Sequence, residues 1–398
     1  MKRIYITTFL TCAAVLVLFF GISRTRNISG AMSSVTVGFI YEGDETAPYT
    51  YNFARAQVML HEELRDSVNI LARNNVPDDA IEDTLRELSL KGCSIIFTNS
   101  HSEAFAELAP SYPEVQICQI SDMAAPAENR ADNYHTFNGE IYQARYISGV
   151  AAGLKLQEMV DNGLISRDEA LVGYVGAFPV PTVISGYTAF LIGVRSVFPT
   201  AVMKVRYTNT WASYRDEKAC AEELIREGCV VLSHHSDTIG PAVACEEASA
   251  RQPAVFVGCN ESYLDIAPSS ALLSIRINWT PYVIGAVQAV MNHQRIESFI
   301  RGNRHSKNDI SAGLEQDNTL EFLDLNLNLA AKGTQMVMDN TAAILKKEPT
   351  VAFQGPYTGK DPSNPSDTIS LDGGYLENMN SSMPSFHYIL NDVIEVES

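Results

Sequence analysis

From Val35 onward, short apolar runs that read as buried parallel strands alternate with stretches whose apolar residues recur three and four apart, as on one face of a helix. VTVGFIY (35–41), CSIIFTN (93–99) and VQICQI (115–120) are strands by this reading, as is Val68 to Leu71. Helical patterns fall between them over 49–64, 78–90 and 101–109. Pro77, Asp78 and Asp79 suit a helix's first turn, and Gly92 suits an end. Strands separated by helices in this way build βαβ units and a parallel sheet.

The pattern then restarts. A helix over 140–160 leads to strands at LVGYVGAF (171–178), AVMKVRYT (201–208), CVVLSHH (229–235), AVFVG (254–258) and LLSIRI (272–277), with helices between them. The segments GCSIIFTNSHS (92–102) and GCVVLSHHSDT (228–238) match: each has Gly-Cys, an apolar strand, then small polar residues at the strand's carboxyl end. Ligands of open α/β sheets bind beyond those ends. Two such sheets facing one another across a hinge make a cleft. The expected fold is therefore α/β, with two Rossmann-like lobes, a hinge and a ligand cleft between them. Lobe 1 is expected over 35–138, with part of 279–350 returning to it, and lobe 2 over 139–278. A helix is expected over 281–300, a loop over 301–318, a strand over 319–329 and a helix over 330–347. The stretch 351–398 reads as a crossover and irregular tail, because 355–382 is rich in Gly, Pro, Ser, Asn and Asp.

Residues 1–31 read as a targeting segment: Lys2 and Arg3, an almost wholly apolar run from Ile4 to Ile22, then Arg24 and Arg26. It is either a signal peptide cut after Ala31 or an uncleaved membrane anchor, and both readings place the body outside the cytoplasm. Cys12 lies inside the apolar run, which disfavours a lipoprotein signal. The chain's net charge is −18, and this segment holds four basic residues and no acid, so the body is more acidic still. Such a body excludes nucleic acid as a partner, since phosphate binding needs a basic face. Seven cysteines show no metal-ligand spacing, so no metal is expected. Cys93 with Cys118, and Cys229 with Cys259, fall on neighbouring strands where disulfides are permitted outside the cytoplasm; buried thiols are the expectation.

No nucleophile elbow, Walker loop, HExxH or Gly-x-Gly-x-x-Gly occurs, so no catalytic residue is assigned and no cofactor is expected. His234 and His235 are adjacent on a strand and face opposite sides. What remains is a set of polar and aromatic residues at strand ends: Asp44, Tyr49 and Asn52 after the first strand, Asn99, Ser100 and His101 after the third, then Phe178, Pro179, Trp211, His235, Ser236, Asp237, Asn260 and Glu261; of these, Asp44, Tyr49, Asn52, Ser100, Phe178, Trp211 and Asp237 are the expected ligand-binding residues. Each has an ordinary structural reading; Asp44 suits a turn and Asp237 a helix cap. As a set, aromatics that sandwich a flat ring and carboxylates that accept from sugar hydroxyls suit a nucleoside.

The segments VGFIYEGDETAPYTYNFARAQ (37–57), ELSLKGCSIIFTNS (87–100), LAPSYPEVQ (108–116), YQARYISGVAAGL (142–154), VGYVGAFPVPTVISGYTAFLIGVRSVFP (172–199), LSHHSDT (232–238) and VAFQGPYTGKD (351–361) resemble, in order and spacing, the basic membrane protein family. The resemblance implies a type I periplasmic-binding-protein fold serving an ABC importer, with purine nucleosides the usual ligands and a transporter permease as partner. It implies an aromatic near the base at Tyr49, a second at Trp211 and a ribose-binding acid at Asp237, with Asp44 nearest to the first-loop aspartate. This sequence departs from the family in its longer first loop, in Phe53 and in Thr182. A membrane-tethered sensor on the same fold is the second reading, and a nucleoside-processing enzyme the third.

Overall fold

In the computed structural model, residues 34–397 are described, apart from 122, 124–129 and 317. The targeting segment 1–31 lies outside the described residues. Among those described, no helix is long and apolar enough to cross a membrane.

The strands, in chain order, are β1 Val35–Ile40, β2 Val68–Arg73, β3 Cys93–Thr98, β4 Gln116–Gln119, β5 Tyr134–Gly139, β6 Leu171–Gly176, β7 Val202–Tyr207, β8 Cys229–His235, β9 Val255–Cys259, β10 Ala271–Ile277, β11 Asn303–Ser306, β12 Asp309–Ala312, β13 Leu320–Leu323, β14 Thr358–Lys360, β15 Thr368–Ser370, β16 Ile389–Leu390 and β17 Ile394–Glu397. Two seven-stranded sheets result, ordered β11-β12-β5-β4-β3-β1-β2 and β13-β10-β9-β8-β6-β7-β17. Within each, β1 to β5 and β6 to β10 pair in parallel, in keeping with the near-continuous apolar runs of most of them. The chain passes between the sheets after β5, after β10 and after β12.

Three stretches differ from expectation. Tyr134 to Gly139 forms a wholly buried strand although its sequence, YHTFNG, is half polar. Most of those polar groups are matched: His135 Nε2 with Gln116 Oε1 at 2.8 Å, His135 Nδ1 with Glu297, and Thr136 Oγ1 donating to Asp309 Oδ1 at 2.8 Å; the buried Asn138 amide is the exception. The expected loop 301–318 contains β11 and β12, and β12 pairs in parallel with β5. The tail is not irregular throughout. β14, β15 and β16 form a small antiparallel sheet, and β17 lies parallel beside β7 at the edge of the second sheet.

The cysteines from Cys93 to Cys259 carry thiols rather than disulfides. The helices α4 (Ile141–Asp161) and α5 (Pro181–Val197) are buried along most of their length and pack on one another. Ahead of them come α1 (Pro48–Leu64), α2 (Ile81–Leu90) and α3 (Ala104–Leu108). Gly149 and Gly193 allow the approach: a Cβ on the first would lie 2.1 Å from the Phe190 carbonyl oxygen, and one on the second 2.0 Å from that of Tyr146. The pairing fixes α4, and with it the crossing that leaves β5.

Candidate functional site

A cavity of about 170 Å³ opens at the carboxyl ends of β1, β3, β7, β8 and β9, lined by Glu42, Tyr49, His101, Trp211, Asp237 and Asn260 with neighbours from the same loops. Lobe 1 contributes Glu42, Tyr49 and His101, and lobe 2 contributes Trp211, Asp237 and Asn260. This is where parallel sheets leave unpaired strand ends for a ligand.

Tyr49 stands in the first turn of α1, which Pro48 starts and for which Ala47 offers no side-chain cap. Asp237, from the other lobe, supplies one: its Oδ1 accepts from the Tyr49 backbone N–H at 2.8 Å. A carboxylate at a helix N-terminus meets both an unsatisfied donor and the positive end of the helix dipole. The Tyr49 hydroxyl is 3.3 Å from the carbonyls of Asn99 and Ile120, which fixes the ring. Trp211 is set by the loop after β7. Its carbonyl accepts from the Asp237 N–H at 2.8 Å, so the two lobe 2 residues are tied together.

Beneath them lies Glu217, fully buried in helix Tyr214–Arg226. Its carboxylate accepts from Ser236 Oγ at 2.7 Å, Thr238 N at 3.1 Å and Ser213 N at 3.1 Å, clamping the Trp211 loop to the Asp237 loop. Burial raises the Glu217 carboxyl above its ordinary range. Burial in the cleft likewise pushes Asp237 up to about 7; Glu217 and Glu261 reinforce this, while the Tyr49 N–H and His101 oppose it. His235 lines the cavity, whereas His234 points into the core, where burial beside Arg145 keeps its ring neutral.

Of the seven residues expected to bind ligand, Tyr49, Trp211 and Asp237 meet at this cavity. Phe178 stands behind Trp211, edge-on with ring centroids 5.4 Å apart. The other three lie elsewhere. Asp44 forms a turn, its Oδ1 accepting from Thr46 N at 2.9 Å and Thr46 Oγ1 at 2.6 Å. Asn52 is buried and donates to the Ile277 carbonyl at 2.9 Å, joining α1 to the crossing after β10. Ser100 is buried, and its carbonyl accepts from Gln119 at 2.7 Å. His101, His235 and Asn260, which the sequence placed at strand ends but outside the seven, also line the cavity, as does Glu42, which it did not single out. The strand-end position that marked Tyr49 and Asp237 marks them equally.

Residues 35–313 match the family described as ABC transporter substrate-binding protein PnrA-like, Bmp. The chain belongs to the Bmp family. A purine-binding protein of Brucella abortus (strain 2308) is 29% identical to this Bmp protein over 266 residues, 66% of this chain and 70% of the relative. A putative ABC transporter glucose-binding protein of Haloferax volcanii is 31% identical over 151 residues, 38% of this chain and 34% of the relative. A solved ABC transporter solute-binding protein from Aeropyrum pernix K1 superposes with a TM-score of 0.60 at 19% identity, covering 79% of this chain and 86% of its own. A transcriptional activator of the comK gene from Bacillus halodurans gives the same TM-score at 16% identity, covering 79% of this chain and 98% of its own. These structures show the two-lobed periplasmic-binding-protein fold, and that fold serves more than one task. The Bmp family decides the class: this is a substrate-binding protein of the ABC transporter type, not an enzyme.

Proposed function

We propose that this Bmp protein is the extracytoplasmic receptor of an ABC importer for a purine nucleoside or a closely related purine. The observation that carries the reading is that Tyr49 and Trp211, one from each lobe, line a single cavity whose wall also holds the Asp237 carboxylate. Aromatic rings on two sides select a flat heterocycle, and a carboxylate accepts from the hydroxyls of an attached ribose. Closure of the lobes assembles all three, so ligand binding shifts the open–closed equilibrium toward the form a permease engages. The similarity to a purine-binding protein supports this ligand class. Asp44, Asn52 and Ser100 take no direct part in it, and Phe178 acts by supporting Trp211.

Calorimetric titration with adenine, hypoxanthine, adenosine, guanosine, inosine and glucose tests the reading. Saturable binding of a purine compound without turnover is expected. Binding of glucose alone would move the ligand class to sugars, in line with the name of the Haloferax relative.

A further inference from the structure

His101 fills the place that a ligand's ring needs. Its imidazole is near-parallel to Tyr49, at 8° with centroids 5.8 Å apart, and to Trp211, at 22° and 5.4 Å. The two rings come from different lobes, so the lobe 1 imidazole stacks across the cleft. Glu42 holds it there: Oε2 accepts from the His101 backbone N–H at 3.2 Å and lies 3.1 Å from the ring Nδ1. With the imidazole in place the cavity measures about 170 Å³. Small-molecule pockets usually offer roughly 300 Å³ or more. A nucleoside therefore needs more room than the cavity now has, and the side chain stacked against both aromatic rings is His101.

We propose that His101 is a plug: its imidazole competes with the ligand for the aromatic slot between Tyr49 and Trp211, and an incoming nitrogen heterocycle displaces it. This rests on the purine reading for the identity of the ligand, but not for the existence of the slot. The plug lets residues of the two lobes stack on a ring of the protein's own. It also discriminates, because a ligand must stack better than an imidazole to gain entry.

The test uses His101→Ala and His101→Gly in the purified protein. Titrated with the same purine compounds, His101→Ala is expected to bind about threefold to tenfold tighter than the unsubstituted protein, the worth of an aromatic pair no longer in competition. Millimolar imidazole is expected to raise the melting temperature of His101→Gly, or of His101→Ala should the glycine variant not fold, and to leave that of the unsubstituted protein where it was. Weaker ligand binding by His101→Ala would make the imidazole a ligand contact and overturn the proposal. So would a cooperatively melting cavity variant that imidazole does not stabilise. If no purine compound binds any variant while imidazole still stabilises the cavity variant, the slot stands and the purine reading falls.

Discussion

The backbone N–H of Tyr49 donates to Oδ1 of Asp237 at 2.8 Å, so a carboxylate of one lobe caps the first helix of the other. The same carboxylate faces the cavity. It is therefore both a closure contact and a candidate ligand contact, and its protonation bears on each.

Asp237 has its carboxyl pushed up to about 7 from an ordinary 3.8. A carboxyl raised on folding favours the folded state in its protonated form. That contribution is full below about pH 4 and is lost as pH rises through about 7. Asp237→Asn keeps an acceptor for Tyr49 without a charge. It is expected to melt above the unsubstituted protein at pH 8, with the gain gone by pH 4. Ligand hydroxyls bond best to the ionised form, so unsubstituted affinity is expected to fall about tenfold from pH 8 to pH 5.5 and to stay flat in Asp237→Asn. Thermal melts and titrations across that range measure both.

Trp211→Ala and Tyr49→Ala are each expected to weaken binding of a purine ligand by about tenfold or more, since stacking a base on an aromatic is worth roughly 1–3 kcal/mol. Tyr49→Phe keeps the ring and loses only its contacts to Asn99 and Ile120, so it should stay within about threefold of the unsubstituted affinity. Equal losses for Tyr49→Phe and Tyr49→Ala would assign the effect to the hydroxyl rather than to stacking.

The strands that carry these residues were legible because burial on both faces leaves an apolar run, as in β6 and β8. β5 and β12 were not, because polar residues of YHTFNG and DISA such as His135, Thr136 and Asp309 are buried against partners far away in sequence. The site divided in the same way. Position at a strand end brings Tyr49, Trp211 and Asp237 to the cavity wall, but it does not say which way a side chain turns. Asn52 comes three residues after Tyr49 and turns to the Ile277 carbonyl, and Asp44 folds back on Thr46. Glu217 gave no signal at all: an acid in a charged helix, YRDEKACAEELIR, looks solvent-facing until the Ser236 and Thr238 donors are seen above it.

Glu217→Ala removes a buried acceptor from three donors in the loops bearing Trp211 and Asp237. A loss of about 2–4 kcal/mol in stability is expected from denaturant unfolding. Ligand affinity should fall as well, through loss of position rather than of contact. Glu217→Gln retains one carbonyl oxygen but offers an amide to donors, and is expected to fall between the two. If Glu217→Ala unfolds as the unsubstituted protein does yet binds more weakly, the clamp is not structural and Glu217 acts on the ligand through its charge.

Gly149 and Gly193 sit where α4 and α5 touch backbone to backbone. A methyl group at Gly193 would meet the Tyr146 carbonyl oxygen at 2.0 Å, and one at Gly149 the Phe190 carbonyl oxygen at 2.1 Å. Neither neighbour is a side chain that can rotate away, so the helices must separate. Overpacking costs about 1–3 kcal/mol where side chains yield, and backbone yields less readily. Gly193→Ala and Gly149→Ala are each expected to cost about 3 kcal/mol or more, lowering the melting temperature by about 5 °C or more. Because α4 starts at Ile141, just after β5 on the way to the second sheet, separation of the pair also shifts a segment that links the two sheets. The alanine variants that still fold should bind ligand more weakly, although both glycines lie outside the cavity lining. A variant that melts lower and binds with unchanged affinity would confine the helix pair to stability and detach it from closure.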